Sequence, residues 1–369
     1  RLSNGATVYY KRVPDGSGRL FFAGSAAGGR AAVDTNDIPS YTAMKALVMQ
    51  SGVDRYNRNQ LYQWVKDKDF DLSISLADES DGIGGNTAVA HADDFFGYLY
   101  LVLTHQRFDR DVFDKYVARS KYIYNTRVTT GMAAAQDSIQ ALLYPVSADN
   151  PRHDLAFYDR MRYDDLQLLF NRSFGNAALF KFCLVGDVPE DEARKLVERY
   201  IAALPGQPGS QPRRLRGLDF SSPERLIRRV FDIDMEGDAG EVELTWLNAV
   251  SLSKKEQAAL ETLRGILENR LFSVLRERDH AVYSVGVKAD YAERPAASVT
   301  LSVHFSTSRD KALPMKEEAL AQLGRIAKGD FSRDEFKAAM VPLAVDDPGT
   351  TAKLIAEARK GMPPNPDAT

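Results

Sequence analysis

The sequence contains little of what most metal and cofactor sites require. It has one cysteine and five histidines in 369 residues, and no local pair of histidines is spaced to bind a metal from one helix. The lone Cys183 has no partner for a disulfide and no nearby base to activate it as a nucleophile. Because it lies in the apolar run 180–185, we expect it to be a buried thiol in a strand.

Long apolar runs and blocks of one charge are also missing. No stretch approaches the roughly 20 apolar residues that span a bilayer, and the net charge is only −3, with no long basic block. Residues 24–29 are rich in glycine but lack the spacing of a nucleotide-binding loop. We therefore expect no membrane span, no nucleic-acid partner and no cofactor in this chain.

The sequence is typical of a globular protein with more than one domain. It is 44% hydrophobic and 27% charged, and its length suits two domains. The clearest linker is 205–212, which has three prolines and two glycines and no other apolar residue. We predict a first domain at 1–204, a linker at 205–222 and a second domain at 223–369.

Each predicted domain has a similar order of secondary structure. Pro39 in a first turn opens a helix that runs to Met49, and the capping box from Ser253 to Glu256 opens a long helix. Alternation and apolar runs predict strands at 7–11, 20–24, 72–76, 83–90, 179–185, 226–233, 242–247, 283–288 and 298–305. The shared order of two strands, helices and two strands predicts one fold used twice.

The most distinctive local pattern is the run from Arg276 to Tyr283. A long predicted helix ends at Arg276 and a predicted strand begins at Tyr283, with His280 between them. Spacing alone favours a structural interpretation, in which Arg276 forms an ion pair at a helix C-terminus and Tyr283 packs on the sheet. The alternative is that both side chains line a cleft, where His280 would join them.

Four short segments and the Arg-x6-Tyr element, in this order, resemble the pitrilysin/insulinase-type zinc peptidases over residues 1 to about 330. They are the Leu-x-Asn-Gly-x-x-Val start at 2–8, the small-residue strand end at 27–30, the helix turn at 101–109 and the strand end at 184–187. The resemblance is to the non-catalytic C-terminal half of that family. It implies an α+β fold of two similar domains, each with an antiparallel sheet and helices packed on one face.

The resemblance also implies which residues act and which are missing. The catalytic half of the family carries His-x-x-Glu-His on a helix, and the corresponding positions here hold Ala43, Ala46 and Leu47, so no metal is expected in this chain. Arg276 and Tyr283 are then the expected substrate-binding residues. The expected partners are a zinc-bearing N-terminal catalytic half, in the same polypeptide or a separate subunit, and a peptide substrate.

On this basis, we expect a half of a zinc endopeptidase that encloses substrate and is inactive alone. A zinc-free structural subunit of the same family is the alternative, and an unrelated α/β binding module would require the ordered matches to be accidental. The bacterial members of the family favour a periplasmic over a cytoplasmic location.

We predict that the purified chain binds no stoichiometric zinc, because the helix at 39–50 contains neither histidine nor glutamate. The measurement is elemental analysis after exhaustive dialysis. About one tightly held zinc ion per chain would contradict the prediction.

Overall fold

Two sheets with the same central strand order organise the chain. The computed structural model describes residues 1–128, 131–218, 226–233, 238–278, 282–293 and 297–340, without the side chains of Val128, Met132, Glu277, Arg278 and Tyr283. Cα proximity divides the described residues into unit 1, at 1–124 and 151–218, and unit 2, at 125–150 and 226–340. The domain bounds expected from the sequence, 1–204 and 223–369, stay a prediction.

Unit 1 contains a five-stranded sheet in the order β1-β5-β2-β4-β3. Its strands are β1 (Thr7–Arg12), β2 (Arg19–Ala27), β3 (Phe70–Leu76), β4 (Ser80–Ala88) and β5 (Lys181–Gly186). Three of the four strand pairs are antiparallel, and β1 runs parallel to β5. Cys183 lies in β5 and is buried, as its apolar neighbours indicate.

Seven of the α-helices that the structure describes lie wholly or mostly in unit 1. They are α1 (Ile38–Leu47), α2 (Arg58–Val65), α3 (Ala92–Thr104), α4 (Arg110–Val128, whose last residues belong to unit 2), α6 (Leu155–Asp159), α7 (Tyr163–Phe174) and α8 (Glu190–Leu196); α5 (Gly131–Leu143) lies in unit 2. Pro39 occupies the first turn of α1, and Asn57 and Gln60 form a capping box on α2. A short π-helix, Val197–Ile201, follows α8.

The core of unit 1 is an aromatic cluster between the sheet and the helices. Phe22 of β2 is fully buried. Its ring centroid lies 5.4 Å from that of Phe96 and 6.1 Å from that of Phe95, both on α3, and 5.6 Å from that of Phe182 on β5. Edge-to-face and stacked pairs at these separations are favourable beyond their buried area. These contacts pack the central strand β2 against α3.

Unit 2 repeats part of this arrangement with a three-stranded sheet. Its elements are β6 (Ala239–Asn248), α9 (Lys254–Leu271), β7 (Val282–Ala292), β8 (Ser298–Ser308), α10 (Ala312–Ala327) and α11 (Arg333–Ala339). The antiparallel order β6-β8-β7 corresponds to β2-β4-β3 of unit 1. The prediction of one α+β fold used twice is therefore confirmed.

The predicted strand at 226–233 is not formed. Its chain position before β6 matches that of β1 before β2, and β1 pairs only with β5. Among the described residues of unit 2, no strand holds the place of β5 beside β6. A strand needs a neighbouring strand to satisfy the hydrogen bonds of its backbone. The alternating sequence at 226–233 was therefore not sufficient to form a strand.

Among the residues that the structure describes, no helix combines the length and the apolar composition needed to cross a membrane.

We predict that Phe22→Ala destabilises unit 1 by about 3–5 kcal/mol, because it leaves a cavity among three other aromatic rings. Tyr62→Ala is the matched control, since Tyr62 is 65% exposed, and should change the free energy of unfolding by less than about 0.5 kcal/mol. Urea unfolding followed through Trp64 fluorescence, in a Trp246→Phe background, measures both. Equal effects of the two substitutions would contradict the assignment of the core.

Candidate functional site

Arg276 lies on a helix that changes from α-helical to π-helical geometry at Phe272, four residues before Arg276. Ser253 and Glu256 form a capping box that starts α9, and α9 continues as a π-helix, Phe272–Arg278. Leu271 and Leu275 are fully buried on successive turns, which fixes the rotation of this segment against the core of unit 2. Wide π-helical turns are frequent at functional sites.

The side chain of Arg276 is exposed and lies over an aromatic ring. Its guanidinium carbon is 5.0 Å from the ring centroid of Phe272, which is 37% exposed. Within the described part of the chain, Arg276 forms no hydrogen bond or ion pair, so the ion pair favoured by spacing alone is not found there. A cation–π contact orients the guanidinium and leaves its N–H donors available for another group.

Tyr283 lies at an irregularity in the sheet. The register between β7 and β8 shifts between Val282, opposite Thr307, and Ser284, opposite Ser306, so Tyr283 is the extra residue of a bulge. Bulges often occur beside active sites, where they change the direction of a side chain. The side chain of Tyr283 lies outside the described residues, as does all of His280, so the expected grouping of these side chains with Arg276 stays a prediction.

A polar groove lies along the same helix and was not expected from the sequence. Its volume is about 410 Å³. Its lining comes from the end of α9, the π-helix, α10, the segment after α10, and α11: Asn269, Arg270, Ser273, Val274, Gln322, Arg325, Asp330 and Glu335. Arg270 and Glu335 form an ion pair of 2.6 Å across it. These residues are separated by up to 66 positions, so no local motif could have revealed the groove.

By resemblance, α1 corresponds to the zinc-binding helix of the pitrilysin/insulinase-type peptidases, but it has no side chains at the corresponding positions that could bind a metal. On α1, Ala43 and Leu47 are buried in the core of unit 1, and Ala46 is partly buried beside them. Methyl and isobutyl groups cannot coordinate zinc, whose ligands are imidazole, thiolate or carboxylate. Elsewhere in the described ranges, no group of three or more His, Cys, Asp or Glu side chains is arranged to hold a metal ion.

Two of the histidines that the structure describes, His153 and His304, contact other side chains of their own unit. His304 contacts Glu241 at 2.6 Å on adjacent strands, and His153 stacks on Phe157 with ring centroids 4.1 Å apart. Burial is the main cause that lowers the pKa of His153. The acidic pair beside His91 occupies the first turn of α3, where carboxylates stabilise a helix N-terminus, as expected from the sequence.

Comparison with known proteins identifies the family. The profile of the peptidase M16 inactive domain matches residues 160–341, whereas a comparison with curated protein sequences gave no significant match. Among solved structures, the fold is similar to a peptidase M16 inactive domain from Pseudomonas fluorescens, with a TM-score of 0.73 at 16% identity, over 97% of this chain and 85% of that chain.

Two larger proteases contain the same fold. The periplasmic protease PqqL from Escherichia coli matches with a TM-score of 0.78 at 15% identity, and the ferredoxin protease FusC, in complex with Arabidopsis ferredoxin, with 0.74 at 17%. The alignment covers 97% of this chain in both cases but only 39% of each protease. Residues 160–341 therefore carry the inactive domain of the peptidase M16 family, in agreement with the resemblance of the motifs in this chain to pitrilysin/insulinase-type peptidases.

Proposed function

We propose that this chain is the non-catalytic C-terminal half of a zinc-dependent endopeptidase and that it encloses the peptide substrate. The observation that carries the proposal is the match of residues 160–341 to the peptidase M16 inactive domain. The fold matches only 39% of the length of PqqL and of FusC. This supports the proposal that the chain forms part of a larger protease.

The chemistry of α1 supports binding without cleavage. Its buried face presents Ala43, Met44 and Leu47 to the core, so unit 1 contributes no metal ligand and no general base from this helix. Hydrolysis in this proposal depends on a separate N-terminal half that holds the zinc. The chain alone is therefore proposed to be inactive.

Arg276 and Tyr283 are proposed to bind the substrate from this half. The exposed guanidinium of Arg276 has free N–H donors with respect to the described residues, and Phe272 orients it. A guanidinium and a phenol that donate to the scissile carbonyl group stabilise the oxyanion as negative charge develops on oxygen. Neither group activates water, so their contribution is to orientation and to charge stabilisation.

The proposed partners are the N-terminal catalytic half, covalently joined or as a subunit, and an extended peptide or protein substrate. FusC is described as a ferredoxin protease, which supports protein substrates for this fold. PqqL is described as periplasmic, and we propose the periplasm rather than the cytoplasm as the location of this chain.

We predict that Arg276→Ala and Tyr283→Phe lower kcat of the joined enzyme by about 10²–10³-fold, as the loss of an oxyanion donor does. Their thermal unfolding should be nearly unchanged, because an exposed cation–π contact contributes only about 0.5–1 kcal/mol. Steady-state peptide hydrolysis by the chain combined with its catalytic half, together with thermal unfolding of each variant, measures both effects.

Arg309→Ala is the matched control for these variants. Arg309 is an exposed arginine of unit 2 that forms an ion pair with Asp232, and its loss should leave both turnover and stability close to wild type. If the Arg276 and Tyr283 variants hydrolyse peptide at the wild-type rate, both residues have only structural roles. That result would favour the zinc-free scaffold function.

We predict that Phe272→Leu removes the stacking of Arg276 on an aromatic ring and disorders its side chain. Phe272→Tyr should keep the side chain ordered, because a tyrosine ring also binds a guanidinium. NMR of the Arg276 side chain should show an upfield ring-current shift in the wild type and in the tyrosine variant only. Turnover should fall about two- to fivefold in the leucine variant. Phe331→Leu, at another exposed ring, is the control, and an unshifted Arg276 signal in the wild type would exclude the stacking.

A further inference from the structure

The segment 205–218, called the strap here, lies along unit 1 and is held there by hydrogen bonds. The carbonyl of Pro205 accepts from the amide of Ala177 at 2.8 Å. The amide of Gln207 donates to the side chain of Asn176 at 3.0 Å, and the amide of Arg216 donates to the carbonyl of Ala31 at 3.0 Å. Its composition predicts a linker, but its backbone is anchored at both ends.

Arg213 forms the deepest of these contacts. Its side chain is 13% exposed, and its Nη1 lies 2.6 Å from Oδ2 of Asp81, whose side chain is 1% exposed. Nη1 also donates to the carbonyl of Ala27 at 3.0 Å, and Nη2 donates to the carbonyl of Ser173. One guanidinium therefore joins the strap to β2, to β4 and to the end of α7.

The site that receives this guanidinium is built by unit 1. Asp81 Oδ1 accepts hydrogen bonds from the amide of Gly29 at 3.0 Å and from the hydroxyl of Tyr41 at 3.2 Å, so the carboxylate is oriented with Oδ2 towards Arg213. Gly28 is required beside the pair, because a Cβ there would overlap both the carboxylate and the guanidinium. The glycine-rich segment after β2 thus makes room for an ion pair.

The side chain of Arg216 also donates to the carbonyls of Val33 at 3.0 Å and Arg30 at 3.2 Å, and apart from these polar contacts little holds the strap. No residue of 205–218 is fully buried, and several are exposed. Segments with few buried apolar contacts open locally at a lower free energy than the core around them. Loss of one partner of a buried ion pair also leaves the other charge without compensation, so among these contacts the loss of the Arg213–Asp81 pair is expected to destabilise the strap most.

We propose that the strap is a latched segment of unit 1, that the Arg213–Asp81 ion pair is its latch, and that it detaches as a unit while the sheet of unit 1 stays folded. The strap then moves with unit 1 when the latch is closed. Its conformational freedom is set by its polar contacts, of which the Arg213–Asp81 ion pair is the most buried, rather than by its proline and glycine content.

Hydrogen exchange of the wild-type chain tests whether the strap opens separately. The amide of Arg216 should exchange more slowly than an unprotected amide but faster than the amides of Leu184 and Val185 in β5. If the Arg216 amide exchanges only together with those β5 amides, the strap opens by global unfolding and the proposal is wrong. If it exchanges at the unprotected rate, the strap is not latched.

Variants of the two charged residues test the latch itself. Arg213→Met and Asp81→Asn should each increase exchange at Arg216 and thermolysin cleavage before Leu215 by about 10–100-fold, the equivalent of a hydrogen bond to a charged group. Combining them should add little, because they remove the same contact. Arg214→Met is the control, since Arg214 is exposed and adjacent in sequence.

The expected control result is wild-type exchange and cleavage. Wild-type exchange in Arg213→Met, with the β5 amides still protected, would overturn the proposal. The same would follow from equal increases in Arg213→Met and Arg214→Met. If Arg213→Met does not fold, the wild-type comparison of Arg216 with β5 still decides whether the strap opens alone.

Discussion

The burial of one face of α1 is the constraint that links the core of unit 1 to its chemistry. Its buried face inserts Ala43, Met44 and Leu47 into the core, where apolar burial stabilises the layer of helices on the sheet. By resemblance, Ala43, Ala46 and Leu47 of this helix stand where a catalytic relative carries its metal-binding motif, and none of their side chains has a donor atom. Tyr41, one turn earlier on this helix, orients Asp81. One helix therefore contributes to the core, presents no metal ligand at these positions, and orients the carboxylate that binds the strap.

Local sequence signals predicted those parts of the fold that depend on local contacts. Pro39 and the capping box of Ser253 and Glu256 mark helix starts that the structure contains, and alternation located β3 within two residues of its bounds. The same reasoning failed at 226–233, because alternation reports the faces of a strand and not the presence of a neighbour to pair with. Similarly, the parallel pairing of β1 with β5 joins residues more than 170 positions apart, and no local pattern encodes it.

The assignment of Arg276 and Tyr283 to the candidate site stays a prediction, and the geometry around them was not predicted. Spacing and resemblance singled out Arg276 and Tyr283, whereas the stacking on Phe272, the π-helix and the bulge are properties of the folded chain. Phe272 lies four positions before Arg276, a helical spacing that could have indicated the contact. The groove lined by Arg270 and Glu335 could not have been found in this way, because it depends on how α11 packs against α9.

The ion pair between Arg213 and Asp81 illustrates why composition is a poor guide to a linker. Burial is the main cause that raises the pKa of Asp81 and lowers the pKa of Arg213, so both charges are disfavoured where they lie and each is retained because the other is present. A buried ion pair of this kind contributes less to net stability than its short distance suggests, since the desolvation of both ions opposes the attraction. Its stronger effect is on position, because Tyr41 and Gly29 hold the carboxylate that the guanidinium of Arg213 must reach. A segment rich in proline and glycine can therefore have a defined course when charged side chains anchor it to the domain beside it.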